Sequence, residues 1–278
     1  FFGLGIEYNN TKYKTSNVRE KRESDAQYLY GQIKPTTNTL LDISFRTDND
    51  QIYGKHDSHR LQLGYDLFEN FKIKSSFGTG YRPPSLYESN NLASGVNKLE
   101  PEETSNEELG FDYKDFNSGL LISSSLFKSE IDNKIEYSGG YRQGSGYTKI
   151  SGYEISIDKY DIIKNLDLHV SYTMTDSDKS DGKKGALVPM HKLVSIFDYQ
   201  ISDDFNNQLE YIYQERAYDT NSIELPSFSL VNYNLNYKIN NDLKSNLKIS
   251  NVLDQDYEVN RNYNTPGISF FGGIESKF

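Results

Sequence analysis

Cysteine and tryptophan are absent from the 278 residues, methionine occurs twice and proline seven times. Without cysteine there can be no disulfide, no thiolate nucleophile and no Cys-ligated zinc, and the redox compartment leaves no mark. Bases are in deficit: 30 Lys and Arg stand against 40 Asp and Glu, a formal charge of −10. Non-specific nucleic-acid binding needs a basic surface, so nucleic acid is not an expected partner. No stretch approaches the roughly 18 consecutive apolar residues of a membrane-spanning helix. A membrane barrel stays open, because its strands need only alternate apolar residues. The chain begins Phe1-Phe2-Gly3-Leu4, with no charged segment leading into an apolar one. It reads as part of a longer protein rather than as one opening on a signal peptide.

What is plentiful is aromatic: 23 Tyr and 15 Phe, in a chain that is only 35% apolar. The dominant pattern has period two. In 166–174, Leu166, Leu168, Val170, Tyr172 and Met174 alternate with Asp167, His169, Ser171 and Thr173. Successive strand side chains point to opposite faces, so this segment is a strand with one apolar side. Leu61, Leu63, Tyr65 and Leu67 repeat the pattern, as do Val231, Tyr233, Leu235, Tyr237 and Ile239. About fourteen such segments can be drawn, and no stretch has a convincing 3.6-residue period.

Short connectors (35–38, 68–70, 114–118, 161–165, 202–205, 240–242) alternate with long polar ones (10–25, 47–58, 82–106, 129–147, 176–190, 217–227, 253–267). A soluble sandwich has no reason to gather its long loops at one end, whereas an outer-membrane barrel has short periplasmic turns and long outer loops. The fold class expected is therefore all-β, a transmembrane antiparallel β-barrel, with tyrosine supplying the interfacial girdles. The last segment fits: Ile268, Phe270, Gly272, Ile274 and Phe278 share a face, opposite Glu275 and Lys277.

Few residues invite chemistry. Asp176, Asp178, Asp181 and Gly182 have the wrong spacing for an EF-hand, and Leu187 stands where its bidentate acid belongs, so 176–182 reads as a solvated acidic loop. His56 and His59 would face opposite sides of a strand and read as surface-loop residues. His169 reads as a residue of the polar strand face, and His191 as one at a loop-to-strand junction. Gly144-Ser145-Gly146 lacks nucleophile-elbow spacing, and Gly78-Thr79-Gly80 lacks a dinucleotide loop's third glycine and helix. Arg19-Glu20-Lys21-Arg22 reads as a solvated loop tip. No metal site, cofactor or catalytic group is expected, and the chain does not read as an enzyme.

Four stretches, in order, resemble the C-terminal barrel of TonB-dependent outer-membrane receptors. They are Gly78-Thr-Gly-Tyr-Arg-Pro-Pro-Ser-Leu-Tyr-Glu88, Asn97-Lys-Leu-Glu-Pro-Glu102, Ser171 to Asp176 with Pro189 and His191, and Asn251-Val-Leu-Asp-Gln-Asp-Tyr257. Spacing and loop lengths are similar to the cobalamin-transporter branch. The resemblance implies a 22-strand barrel around an N-terminal plug. All of 1–278 would then be barrel, carrying about fourteen strands and lacking the plug and the first strands. It also implies residence in the bacterial outer membrane, insertion by the barrel-assembly machinery through a terminal signal in Phe270, Gly272, Ile274 and Phe278, and TonB coupling through the absent plug.

The function so implied is uptake of a large scarce chelate, cobalamin first, with a ferric siderophore or haem as the alternative within the family. Candidate ligand contacts are Tyr87, Asn90, Asn91 and Asn97 in the longest loop, with Met190 and Tyr218 at later loop bases, since aromatic and amide side chains suit a large, flat, partly polar ligand. Outside the family, a passive fourteen-strand channel and a soluble all-β domain are the competing readings.

Overall fold

The structure is a computed structural model that describes residues 1–144 and 146–277. The strands are β1 (Phe2–Lys14), β2 (Arg19–Thr36), β3 (Thr39–Asp50), β4 (Gly54–Phe68) and β5 (Phe71–Arg82), then a short helix α1 (Leu86–Asn90). They continue as β6 (Glu102–Asp115), β7 (Leu120–Asp132), β8 (Ile135–Tyr137), β9 (Tyr141–Gln143), β10 (Tyr147–Ile163) and β11 (Leu166–Lys179). The remainder are β12 (His191–Ser202), β13 (Phe205–Gln214), β14 (Ala217–Tyr218), β15 (Glu224–Leu225), β16 (Phe228–Lys238), β17 (Leu243–Ser250) and β18 (Ser269–Ser276).

Fourteen strands form one sheet in sequence order, passing over the separate hairpins β8–β9 and β14–β15. Meandering antiparallel pairing follows from the connectors, because two- to four-residue turns can join only antiparallel neighbours. The chain divides into two compact units, 1–110 with 127–151 and 177–183, and 111–126 with 152–176 and 184–278.

Register keeps one face apolar. In the second unit a single row runs Leu168, Phe197, Leu209, Tyr233, Ile249, Phe270 across six strands, each residue opposite the next. The other face is a polar row, Asp198, Gln208, Asn234, Lys248. Its side chains bond across strands: the Asn206 amide donates to Asp198 at 2.6 Å, and Asn234 to Gln208 at 3.1 Å. His169 lies on this face and meets Asp158 at 2.5 Å. A slip of one residue would exchange the two faces, so register is strongly specified.

The first unit follows the same rule. Ile43, Leu61 and Phe77 face one way. Glu7, Arg46 and Asp48 face the other, with Arg46 bonding Glu7 at 2.9 Å and Asp48 at 2.8 Å.

Among the described residues the apolar face is left uncovered. Leu61, Leu63, Tyr65 and Leu67 are 41–45% exposed, and Leu4 and Ile6 about twice that. The buried apolar residues among those described are instead Ala26, Leu86, Ala93 and Leu99 in the first unit and Ala217, Leu225, Phe228 and Leu230 in the second. Six of the eight lie in or beside the long connectors. A chain of this length normally buries much of its apolar surface inside itself; this one keeps it on one side of a sheet.

The structure corrects several sequence-based expectations. Segments 10–25 and 47–58 are not irregular loops: β1 and β2 continue to a turn at 15–18, and β3 and β4 to one at 51–53. Arg22 is no solvated tip, its side chain being 11% exposed and paired with Asp50 at 3.3 Å. His56 and His59 both sit on β4, on opposite faces, rather than in a loop. Asp176 and Asp178 belong to β11. The chain also has the helix α1, too short to show a period. Ser145 and Phe278 lie outside the described residues.

Candidate functional site

The long connector 82–106 is a small folded structure, and its sequence shows why. Pro83 and Pro84 end β5. Ser85 then caps α1: its hydroxyl accepts from the Glu88 N–H at 3.1 Å, and the Glu88 carboxylate accepts from the Ser85 N–H at 2.7 Å. This reciprocal capping box satisfies two otherwise orphaned donors. Arg82, the last residue of β5, reaches Glu88 at 3.1 Å and Glu102 at 2.6 Å, so one guanidinium joins both ends of the connector. Glu102 also accepts the Ile135 N–H at 2.7 Å, drawing in the β8–β9 hairpin. Burial alone would raise the Glu88 carboxyl, but bonds from the Ser85 N–H, the Arg82 guanidinium and the Ser85 hydroxyl outweigh it and hold the group below the ordinary carboxylate range.

The connector packs on the hairpin through its backbone. Leu92 bridges Tyr141, the Ala93 N–H donates to the Tyr141 carbonyl at 2.9 Å, and the Tyr141 N–H donates to the Asn91 carbonyl at 2.8 Å. Only glycine fits at 140, where φ is +133° and a Cβ would fall 2.5 Å from Ala93 N and Cα. Leu86, Ala93 and Leu99 are buried beneath. Strand β2 and the β3–β4 turn support the other side: Arg22 donates to the Pro84 carbonyl, and the Tyr53 hydroxyl lies 3.3 Å from Ser89 Oγ.

This frame gathers four tyrosines. The Tyr87 ring meets Tyr13 edge-on at 6.1 Å and Tyr141 at 5.9 Å, and Tyr141 meets Tyr137 at 5.2 Å. Asn90 Nδ2 donates to Glu20 at 2.7 Å, and Asn91 Nδ2 to the Tyr87 carbonyl at 2.7 Å. Tyr87 keeps 54% of its surface exposed and Tyr137 70%. The result is a partly exposed cluster of mutually edge-on tyrosines bordered by two amides, a platform whose open ring faces and amide oxygens are available to a ligand.

Of the residues singled out from sequence, Tyr87, Asn90 and Asn91 come together here. Asn97 is exposed and stands apart, beside the buried Leu99. Met190 and Tyr218 belong to the second unit. The Met190 carbonyl accepts from the Thr175 N–H toward the end of β11, and Tyr218 pairs with Glu224 in the β14–β15 hairpin. On β18, Phe270 and Ile274 are exposed on the apolar face, with Gly272 between them opposite Leu247. Tyr13, Tyr137 and Tyr141 were not singled out. For Tyr13 a signal exists in the sequence: it alternates with Lys12 and Lys14, as strand residues do. Among the described residues no group of three His, Asp or Glu could hold a metal ion.

Comparison with known proteins gives a consistent picture. The family model described as TonB dependent receptor-like, beta-barrel matches residues 1–252. The vitamin B12 transporter BtuB of Vibrio cholerae is 27% identical over all of this chain and 46% of its own length. The probable TonB-dependent siderophore receptor PirA of Acinetobacter baumannii is 23% identical over 94% of this chain and 44% of its own. Among solved structures, a mutant ferric enterobactin receptor (PfeA) of Pseudomonas aeruginosa in complex with enterobactin aligns over the whole chain and 51% of its own, with a TM-score of 0.85 at 19% identity. PirA of Acinetobacter baumannii aligns with a TM-score of 0.81 at 18% identity, over 95% of this chain and 47% of its own. At those identities the structures speak for the fold alone. The chain spans about half the length of the curated relatives it matches.

Proposed function

The chain belongs to the TonB-dependent receptor β-barrel family of the bacterial outer membrane, a family of transport receptors, and from that premise we propose that it is the C-terminal barrel portion of a receptor importing a large nutrient chelate, cobalamin before an iron siderophore. In this reading the uncovered apolar face meets lipid, and the polar face meets the lumen and the plug carried elsewhere in the protein. The β1–β2 and β3–β4 turns and the long connectors rise on the outer side. Energy comes from the TonB complex acting on that plug, and the barrel-assembly machinery inserts the strands, reading Phe270, Gly272, Ile274 and Phe278.

The observation carrying the cobalamin reading is the Tyr13, Tyr87, Tyr137, Tyr141 platform with Asn90 and Asn91 at its edge. Asn97, Met190 and Tyr218 stay as secondary contacts. A corrinoid is flat, broad and fringed with amides. A ferric tris-catecholate is a polyanion, and the platform's surroundings do not suit one. Segment 82–106 holds two bases against four acids, and 129–147 two against three. Arg82 and Lys98 are already paired with acids. The second reading, an iron siderophore, rests on the likeness to PirA.

Calorimetry on the intact receptor tests the order. Cyanocobalamin should bind, and Tyr87→Ala should weaken it about 5-fold, in keeping with the roughly 1 kcal/mol of a ring contact. Binding of a ferric catecholate with none of cyanocobalamin would reverse the assignment.

A further inference from the structure

Beneath the helix α1, His56 of β4 is arranged in a way that ligand contact alone does not explain. Its Nε2 lies 3.1 Å from the Tyr53 carbonyl. A carbonyl only accepts, so that nitrogen carries the hydrogen. In the neutral ring Nδ1 is then a bare lone pair, and it faces the Glu103 carboxylate of β6 at 3.6 Å. Two acceptors confront each other until the ring takes a second proton. Nδ1 then becomes a donor, and the confrontation becomes a charge-assisted bond. The His56 ring also lies flat against Tyr81 of β5, with centroids 3.9 Å apart and planes 15° from parallel. A cation over an aromatic face is attracted to it, so the stack gains from the same proton. The Tyr81 hydroxyl is buried and bonds to nothing among the described residues, so the face of its ring is what it contributes here.

The surrounding charges single out Glu103. Asp48 stands directly opposite His56 on β3, but Arg46 holds it at 2.8 Å. Asp50, at the end of β3, is held by Arg22 and accepts the Ile52 and Tyr53 N–H groups. On β4 itself Lys55 pairs with Asp57 at 3.6 Å. Among the described residues His56 is the one cation-forming group beside Glu103. What His56 holds in turn is the β3–β4 turn. The Tyr53 hydroxyl lies 3.3 Å from Ser89 Oγ, in the helix that carries Tyr87 and Asn90. Arg22, 5.9 Å from the Tyr53 ring centroid, donates to the Pro84 carbonyl just ahead of the helix cap. A continuous line of contacts therefore runs from Glu103 and Tyr81 through His56 and Tyr53 to α1.

From this geometry we infer that His56 is a positioning residue of the platform, seating α1 through Tyr53, and that it does so most firmly when protonated. That α1 belongs to a ligand site rests on the function proposed above; the seating itself does not. The imidazolium meets Glu103 and Tyr81 only while the turn is seated, so seating takes up a proton. It is strongest on the acid side of histidine's ordinary range and is lost as pH rises through that range.

Hydrogen exchange on the intact receptor, corrected for the intrinsic pH dependence of amide exchange, is the test. On going from pH 8 to pH 5.5, amides within 86–93 should gain about 3-fold in protection, the scale of an ion pair with one exposed partner. Both values lie above the carboxylate range, so Glu88 stays ionised throughout. His56→Gln keeps a donor for the Tyr53 carbonyl but cannot take a proton, and its protection should be the same at both pH values. Glu103→Gln keeps the imidazole, removes the charge from an exposed site, and should lose most of the gain. If His56→Gln fails to give a heat-modifiable folded band, Glu103→Gln decides. A flat profile in the unaltered receptor, or the full gain retained in either variant, overturns the inference. Cyanocobalamin affinity should follow the same profile. Binding that ignores pH while exchange responds to it overturns the link to the platform. Absence of cyanocobalamin binding alongside the exchange response counts against the cobalamin reading and leaves the seating established.

Discussion

Gly140 offers the sharpest test of how the candidate site is held. Alanine there faces two penalties. At φ +133° an L-residue is strained by about 1–3 kcal/mol. Its Cβ would also press on the Ala93 backbone, at 2.5 Å from N and Cα and 2.7 Å from the Leu92 carbonyl carbon, where nothing can rotate away. The connector must then lift off the hairpin and lose the two hydrogen bonds at 2.8 and 2.9 Å that join Tyr141 to Asn91 and Ala93. At about 0.5–1.5 kcal/mol each, those bonds come to roughly 1–3 kcal/mol, or about 5- to 150-fold in the open population. The adjacent Gly139 supplies a matched control: φ is +64° and nothing lies within 4 Å of its missing Cβ, so G139A carries only about 1–2 kcal/mol of local strain. Hydrogen exchange on the intact receptor reads the difference. In G140A the Ala93 and Tyr141 amides should lose protection that G139A keeps, while amides of β4 stay unchanged in both. Equal protection in the two variants would refute the claim that this contact closes the loop.

Two further perturbations probe the wall and the Arg82–Glu88 clasp of the connector. Leu63→Arg places a charge on the uncovered face and should reduce insertion stability by about 2–4 kcal/mol if the site lies near the midplane, whereas Gln62→Arg, one residue away on the polar face opposite Asp42, should be tolerated; the folded, heat-modifiable fraction in vesicles against urea decides between them. Because the Glu88 carboxyl is held low, its contribution is complete above the unfolded value near 4.3 and drains away as pH falls through the lowered one. Protease cutting within 82–106 should therefore rise on acidification from neutral pH, and Glu88→Gln should cut readily throughout; a flat profile in the unaltered protein would contradict the sign.

The wall was legible because each spanning segment has one apolar and one polar side, and period two is the pattern that survives in sequence. The legibility failed where the physics removes that contrast. Above the membrane both faces of a strand are wet. In β1 the upper residues Thr11 and Tyr13 face one way and Lys12 and Lys14 the other, and nothing apolar marks the strand. Segments 10–25 and 47–58 therefore read as loops although their backbones pair to the turn. The helix α1 spans one and a half turns, too few for a period, yet its S-x-x-E capping signal stood in Ser85 to Glu88. The stretch Asn97 to Glu102, recognisable as a family signature, has a local cause. Leu99 is 1% exposed beneath the connector, and Glu102 ties Arg82 to the hairpin. The tyrosine platform was half seen because Tyr13 and Tyr141 are remote from Tyr87 in sequence, and nothing local announces that they meet.

The distribution of buried surface implies two separately stabilised parts. The sheet leaves its apolar row exposed, so that row is stabilised by lipid, while most of the buried apolar residues lie in or beside the connectors. The connector 82–106 has its own small interior in Leu86, Ala93 and Leu99, its own ion-paired clasp in Arg82, and a backbone seam to β8–β9. Energetic terms with no shared partner add independently. A change such as G140A should then alter ligand affinity without weakening insertion, and L63R should weaken insertion while leaving the affinity of the inserted fraction intact. Such a separation lets one conserved kind of wall carry outer loops of differing chemistry, because loop substitutions are tested only against a local interior and a ligand.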